Sequence, residues 1–309
     1  MAGDLITVKF SNMLEGYWLA RRNKLAKTTQ GNYQYIFDRF IQFIGDIEFV
    51  TITTVDVHTF LNELQDGGQS GASVASYWAT LSSLWTWAES EMGCEHIMRG
   101  RVAIPKIEEK QPEPFTQDEI KRLLKAAEFS AEWVTPTGKR VRSERPSAVR
   151  DRAIILTLLD TGVRVSELCN LTVEDYDSER GRLFVRSGKG DKSRYVYAGR
   201  RAQMSIWRYL NGRKTGWVFL TRSDYQMERN NVRHMLKRIG AAGGVDNVYP
   251  HRFRHTFAIT FLRNGGNVFI LKELMGHSKL ETTMRYVNLA GQDLQEAQRR
   301  SSPADNWRL

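Results

Sequence analysis

The chain has 309 residues, 41% of them hydrophobic, and its 45 Lys and Arg outnumber its 35 Asp and Glu, which gives a net charge of +10. It has no apolar run long enough to cross a bilayer, and its first residues, MAGDLITVKF, lack the basic start and apolar stretch of a signal peptide, so we expect a soluble, cytoplasmic protein without a membrane partner. The positive charge favours a polyanionic partner. Cys94 and Cys169 are predicted to be reduced and buried, without a metal or redox role.

Residues 1–100 are predicted to form an all-helical domain. Apolar spacing indicates helices at about 10–23, 28–44, 54–65 and 71–91. The second and fourth helices each carry one apolar stripe, formed by Tyr33, Ile36, Phe37, Phe40, Ile41 and Ile44, and by Trp78, Leu81, Leu84, Trp85 and Ala88. We interpret the aromatic residues as core packing, with stacking on nucleic-acid bases as the alternative.

Residues 101–114 are predicted to be an interdomain linker, because they place several prolines in a charged segment without helical periodicity. Directly afterwards, Thr116 and Glu119 have the spacing of a helix capping box. A second domain is therefore predicted over 115–309. Residues 1–110 hold 10 Lys and Arg against 13 Asp and Glu, so the positive charge of the chain lies in its C-terminal part.

The second domain is predicted to be mostly helical with a small sheet. Alternating residues at 182–187 and 194–198 indicate two short strands joined by the turn GKGDK. Residues 133–146 are interpreted as a basic loop, either a solvated insertion or a contact with the polyanion. The polar tail after residue 288 is predicted to hold one short helix. Helices are predicted at about 148–161, 165–169, 200–212, 228–239, 251–264, 267–275 and 280–285.

The segment HRFRHTF, residues 251–257, gathers reactive side chains on one face of a predicted helix, since His251, Arg254 and His255 lie about one turn apart. The two histidines have the spacing of a zinc motif, but Arg252 replaces its glutamate and Arg254 would put a fixed positive charge beside the metal, so we predict no metal site. Arginine beside histidine suits a phosphate better. Taken alone, the segment also fits a core histidine and a surface arginine.

Three further residues favour the phosphate hypothesis. Arg164 follows a glycine turn at the start of a predicted helix, and Lys189 lies in the GKGDK turn, which lacks the spacing of a P-loop. Tyr286 offers a hydroxyl that could attack the phosphate, provided that nearby cations stabilise the phenolate, because the ordinary tyrosine pKa is about 10. Arginines would then carry the charge that Mg²⁺ carries elsewhere, so no cofactor is expected.

This ordered set resembles the tyrosine recombinases, also called the phage integrase family. The family order of Arg, Lys, His-x-x-Arg, His or Trp, and Tyr is met by Arg164 in TGVRVSEL, Lys189 in GKGDKSR, His251 and Arg254 in PHRFRHTFA, His277 in LMGHS and Tyr286 in TTMRYV. The segments TQGNYQYIFDRFIQFIG and SGASVASYWATLSSLWTWAES are similar to the two helical signatures of the family's N-terminal domain. The resemblance implies a mainly α fold: an all-helical core-binding (SAM-like) domain and a mostly helical catalytic domain with a small antiparallel sheet, together forming a C-shaped clamp around duplex DNA.

The resemblance also implies roles for these residues. Tyr286 would attack the scissile phosphate and keep a 3′-phosphotyrosyl link, while Lys189 would protonate the leaving 5′-oxygen and His251 would act as general base. The non-bridging oxygens would be bound by Arg164, Arg254 and His277.

Other residues are expected to assist without taking part in the reaction. Glu167 and His255 would support the catalytic groups without reacting. The candidate contacts to DNA are Arg21, Arg22, Lys24, Lys27, Lys192, Arg194 and Arg252.

By the same resemblance, the chain would be a site-specific recombinase that needs neither metal nor ATP. It would be monomeric in solution and a homo-tetramer on two DNA sites, nucleoid-associated when bound, and accessory proteins could take part. Helical sequence begins near residue 10, so we expect no additional arm-binding domain in front, as in chromosome-dimer resolvases and the smaller transposon and plasmid enzymes. Residues 288–309 would either dock on a neighbouring protomer or be disordered. A type IB topoisomerase and a DNA-binding regulator without catalysis are the two alternatives, and the sequence does not predict the target site or whether DNA is integrated, excised, inverted or resolved.

Overall fold

A computed structural model of the protein describes residues 8–107, 111, 113–129, 133–135, 137–141, 143–186, 193–291 and 302–307. The chain divides into two compact units, Met1–Lys110 and Gln111–Leu309. Val102, inside the predicted linker, is buried in the first unit, and its carbonyl accepts a hydrogen bond from Trp78 Nε1 at 3.0 Å. Packing therefore carries the first unit beyond the predicted boundary at residue 100.

In its described residues, the first unit has four α-helices, as predicted. They are α1 (Phe10–Arg21), α2 (Lys27–Ile44), α3 (Thr54–Asp66) and α4 (Gly71–Met92). Two of them begin at side chains that accept backbone N–H groups: Thr53 and Asp56 form a capping box for α3, and Ser70 caps α4.

Aromatic side chains fill the core of the first unit. Phe37, Phe40 and Trp85 are at most 1% exposed, the Trp85 ring stacks on Phe49 with centroids 5.1 Å apart, and Phe40 meets Phe60 edge to face at 5.0 Å. Burying side chains of this size stabilises a fold by roughly 2–3 kcal/mol each. The interpretation of these rings as core packing is confirmed.

The second unit is mostly helical, again as predicted. Its helices are α5 (Gln117–Glu128), α6 (Ala148–Thr161), α7 (Val165–Cys169), α8 (Arg200–Leu210), α9 (Arg229–Gly243), α10 (Pro250–Arg263), α11 (Val268–Met275), α12 (Glu281–Ala290) and the short α13 (Pro303–Asn306). The capping box of Thr116 and Glu119 forms at the start of α5.

Two antiparallel sheets accompany these helices. The hairpin of β1 (Trp133–Val134) and β2 (Arg140–Val141) lies where we predicted only a basic loop, and that prediction was wrong because strands of two residues have no alternation to detect. The second sheet has the order β3 (Tyr176–Asp177), β4 (Arg182–Val185) and β5 (Arg194–Tyr197). Strands β4 and β5 were predicted; β3, again two residues long, was missed.

Helix α10 is central to the second unit and packs against α6, α9, α11 and α12. Its buried side includes Phe253 and Ile259. Helix α12 extends to Ala290, beyond its predicted end at 285, because Val287 and Ala290 continue the apolar contact with α10. Tyr286 therefore lies within a helix and not at its end.

Candidate active site

Among the predicted cations that the structure describes, Arg254 is the most buried, with 4% of the residue exposed. Its guanidinium donates to the carbonyls of Gly162, at 2.6 Å, and Met275, at 2.5 Å, so it is fixed between the ends of α6 and α11. Burial, and then repulsion from Arg164, lowers the pKa of Arg254 to about 10. An anion that reached this guanidinium would relieve an incompletely compensated buried charge.

Arg164 lies at the start of α7, where Glu167 fixes it in two ways. One Glu167 oxygen accepts the Arg164 backbone N–H at 2.7 Å, and the other accepts Arg164 Nη1 at 3.1 Å. The same carboxylate binds the Arg194 guanidinium through two hydrogen bonds of 2.9 Å each. Burial alone would raise the pKa of Glu167, but Arg194 and Arg164 outweigh burial and hold that pKa below its usual range. Glu167 thus joins Arg164 to Arg194, and its supporting role in catalysis stays a prediction.

His277 follows α11 and faces Arg254. Its Nε2 lies 3.1 Å from Arg254 Nη2, and its Nδ1 lies 2.9 Å from Thr283 Oγ1. Because a guanidinium only donates, Nε2 is the acceptor and the ring proton is on Nδ1, bonded to Thr283. Desolvation, followed by Arg254 and Arg164, lowers the pKa of His277 to about 4. The imidazole is therefore neutral near pH 7.

Tyr286 on α12 is 2% exposed and its ring stacks on that of His277, with an interplanar angle of 10° and centroids 6.4 Å apart. Its hydroxyl lies 2.9 Å from His255 Nδ1 and accepts a hydrogen bond from Arg285 Nη2 at 3.2 Å. Helix α12 thus docks Tyr286 against His255, one turn along α10 from His251, and the supporting role of His255 stays a prediction.

His251, predicted to be the general base, is exposed at the start of α10. Its ring centroid is 6.3 Å from that of His255. Desolvation, and then the charges of Arg254 and Arg164, lowers its pKa. The structure thus brings five of the six predicted catalytic residues into one region, whereas Lys189 lies outside the described residues.

The predicted DNA contacts separate into three groups. Arg22, Lys24 and Lys27 are exposed and Arg21 is half-buried, all at the junction of α1 and α2, and they stay candidates. Lys192 lies outside the described residues.

Arg194 and Arg252 form the third group, and the structure shows both of them in ion pairs with carboxylates of the protein. The Arg194 side chain is 9% exposed and paired with Glu167, while Arg252 is also 9% exposed and paired with Glu119 at 2.9 Å. Both charges are already compensated inside the protein, so we assign the two residues a structural role.

Sequence reasoning missed three residues of this region. Arg285 directly precedes Tyr286, and Thr283 lies three residues before Tyr286, about one helical turn away. This spacing was the signal that could have predicted both residues. Arg233 on α9 is among the charges that lower the pKa of His251, and no local pattern pointed to it. Distant segments of the chain supply this part of the site.

The site does not have the composition of a metal centre. Within the described ranges, no group of three or more His, Cys, Asp or Glu side chains could hold a metal ion. The site that the structure presents is instead a cluster of arginines and neutral imidazoles around a phenol. Such donors match the oxygens of a phosphate ester.

Comparisons with known proteins agree with this chemistry. Residues 113–293 match the phage integrase family, and residues 18–92 match the phage integrase N-terminal SAM-like domain. The tyrosine recombinase XerA of Thermococcus kodakarensis is 32% identical over 274 residues, which cover 87% of each chain.

Two solved structures share the fold. The Tn1549 transposon integrase in complex with a circular intermediate DNA aligns with a TM-score of 0.73 at 18% identity, covering 89% of this chain and 94% of that one. A lambda integrase tetramer bound to a Holliday junction aligns with a TM-score of 0.71 at 19% identity, covering 88% and 78%. With the family match over most of the second unit and the XerA similarity over nearly the whole chain, this protein belongs to the phage integrase family and is a tyrosine-type site-specific DNA recombinase.

Proposed function

We propose that this recombinase cuts and rejoins duplex DNA through a 3′-phosphotyrosyl intermediate on Tyr286, without metal or ATP, as a homo-tetramer on two DNA sites. The observation that carries the proposal is the position of Tyr286: its hydroxyl accepts a hydrogen bond from Arg285, and its ring stacks on His277, which contacts Arg254. These groups supply the positive charge and hydrogen bonds that the attack of a phenol on a phosphate requires.

The scissile phosphate would bind between Arg164 and Arg254. Its oxygens would replace the carbonyl acceptors that Arg254 now uses, and a phosphate diester accepts stronger, charge-assisted hydrogen bonds than a neutral carbonyl. Once Arg254 turns to the phosphate, His277 Nε2 is released from its role as acceptor and becomes a donor after gaining a proton.

The attack keeps the bond energy of the phosphodiester in the new phosphotyrosyl ester. Tyr286 Oη would form a bond to phosphorus while the bond to the 5′-oxygen breaks, and Lys189 would supply the proton to that oxygen, as the family order implies. The 5′-hydroxyl of a partner strand then reverses the step.

The assembly is proposed from the relatives. The lambda integrase structure holds a tetramer on a Holliday junction, and the Tn1549 integrase structure holds a circular intermediate DNA. By analogy, this chain would assemble on DNA, with Arg22, Lys24 and Lys27 on phosphates. The free protein would be monomeric and cytoplasmic, joining the nucleoid when bound.

The test uses duplexes tiled across the DNA that flanks the gene, each with a nick that lets the cleaved fragment diffuse away. The protein is incubated with them in EDTA and the products are separated on a denaturing gel. A slow-migrating protein–DNA adduct that Tyr286→Phe abolishes is the expected result. Binding without any adduct would refute the covalent mechanism, and relaxation of supercoiled DNA that lacks paired sites would indicate a topoisomerase.

A further inference from the structure

The hydroxyl of Tyr286 has two polar neighbours among the described residues, His255 Nδ1 at 2.9 Å and Arg285 Nη2 at 3.2 Å. The guanidinium can only donate, so the phenol oxygen accepts from Arg285. The proton of the phenol must then find its own acceptor, since burial without one costs about 1–3 kcal/mol. His255 Nδ1 is the neighbour that can accept it.

This geometry fixes the protonation of His255. With Nδ1 as acceptor, the imidazole is neutral and its proton is on Nε2. Desolvation, followed by the charges of Arg285, His251 and Arg254, lowers the pKa of His255 to about 4. The ring is therefore an unprotonated base near pH 7. A phosphate bound beside Arg254 would offset part of this repulsion and raise the pKa towards its ordinary value.

His251 does not have an equivalent position. It lies one turn earlier on α10 and is exposed, and its ring centroid is 6.3 Å from that of His255. The ring centroid of His255 is 5.7 Å from that of Tyr286. The hydrogen bond to Tyr286 Oη belongs to His255 alone among the histidines of the described chain.

We infer that His255 is the catalytic base that takes the proton from Tyr286, and that Arg285 stabilises the phenolate as it forms. This inference rests on the proposed covalent mechanism. In the step, the Oη–H bond breaks and its proton goes to His255 Nδ1. The Oη electron pair forms the bond to phosphorus, the bond from phosphorus to the 5′-oxygen breaks, and that oxygen receives a proton from a separate acid. On religation, His255 returns its proton to Tyr286.

The experiment measures single-turnover cleavage of the nicked duplex between pH 5 and 9 by wild type, His255→Asn and His251→Asn. Asparagine keeps a hydrogen-bonding group near the Nδ1 position but takes up no proton. We expect His255→Asn to cleave about 10²- to 10⁴-fold more slowly. Its logarithmic rate should rise with pH at a slope near one, because the phenol must now ionise by itself, whereas wild type and His251→Asn should keep a plateau near neutral pH.

A second substrate separates the base from the acid. Sulfur in place of the bridging 5′-oxygen gives a leaving group that departs without protonation. It should restore cleavage by Lys189→Ala, which lacks the proposed acid, but not by His255→Asn. Thermal unfolding and DNA binding of His255→Asn are measured beside these rates, and both should match wild type.

The outcomes are distinguishable. A His255→Asn variant that cleaves as wild type does, or more slowly with an unchanged pH profile, would refute a base at this position. Faster cleavage would show that the contact holds Tyr286 in a resting state, which also overturns the inference. If wild type forms no adduct at all, both the proposed function and this inference fail. If wild type does form the adduct, the proposed function stands and the rates of His255→Asn test this inference alone.

Discussion

Replacing Arg194 with leucine tests whether this arginine serves the fold or the DNA. Its side chain is 9% exposed and donates two hydrogen bonds to Glu167 and one, of 2.7 Å, to the Leu274 carbonyl. Removing one partner of a buried ion pair costs roughly 3–5 kcal/mol. Glu167 retains two contacts with Arg164, so we expect the lower figure, about 3 kcal/mol. For a unit of this size that corresponds to a melting temperature lower by about 6–12 °C.

The substitution should also weaken catalysis. The Arg194 guanidinium packs against Gly276, since a Cβ added to that glycine would lie 2.8 Å from it. Arg194 therefore supports the turn that precedes His277. Glu167, released from Arg194, would hold Arg164 less firmly. We expect the cleavage rate to fall at temperatures where the variant is fully folded.

Calorimetry of the full chain and the salt dependence of DNA binding are the two measurements. Arg180→Leu is the matched control, because Arg180 pairs with Asp177 near the same sheet but is 71% exposed, and such a surface pair contributes only about 0–1 kcal/mol. The plot of log binding constant against log salt should have the same slope for Arg194→Leu and wild type. A slope smaller by about 0.9 with an unchanged melting temperature would mean that Arg194 binds a phosphate and that our assignment is wrong.

Three further predictions concern the site and the first unit. Thr283→Val removes the acceptor of His277 Nδ1 and should slow cleavage about fivefold, since losing a hydrogen bond of about 1 kcal/mol loosens the ring; an unchanged rate would show that Thr283 does not orient His277. The pKa values of His255 and His277 are lowered to about 4, first by desolvation and then by nearby arginines, so the unfolded state binds more protons between pH 4 and about 6.5 and stability should decrease as the pH falls through that range. Replacing both histidines with asparagine should flatten this dependence in urea unfolding, and an unaltered curve would contradict the assignment. Lys27→Ala should reduce the salt slope of DNA binding by about 0.9 if the exposed Lys27 ammonium contacts a phosphate, and an unchanged slope would exclude that contact.

Much of the architecture followed from periodicity. The stripe containing Phe37 and Phe40 and the capping box at Thr116 predicted their helices because each signal is local, set by neighbours one turn away. The strands of two residues escaped prediction because pairing across a hairpin leaves no pattern in so short a segment. The end of α12 was misplaced for a related reason: Ala290 is helical because it packs on α10, a contact between segments that sequence spacing does not report.

The sequence by itself determined the mainly helical fold and the family, because the order of Arg164, His251, Arg254, His277 and Tyr286 depends only on which residues are present and how they are spaced. Only the tertiary structure decided what each charged group contacts. It paired Arg194 and Arg252 with partly buried carboxylates instead of leaving them in solvent, and it set His255 rather than His251 against the phenol of Tyr286. The physical reason is that a residue type fixes a side chain's chemistry, whereas its burial and its partner depend on how distant helices pack.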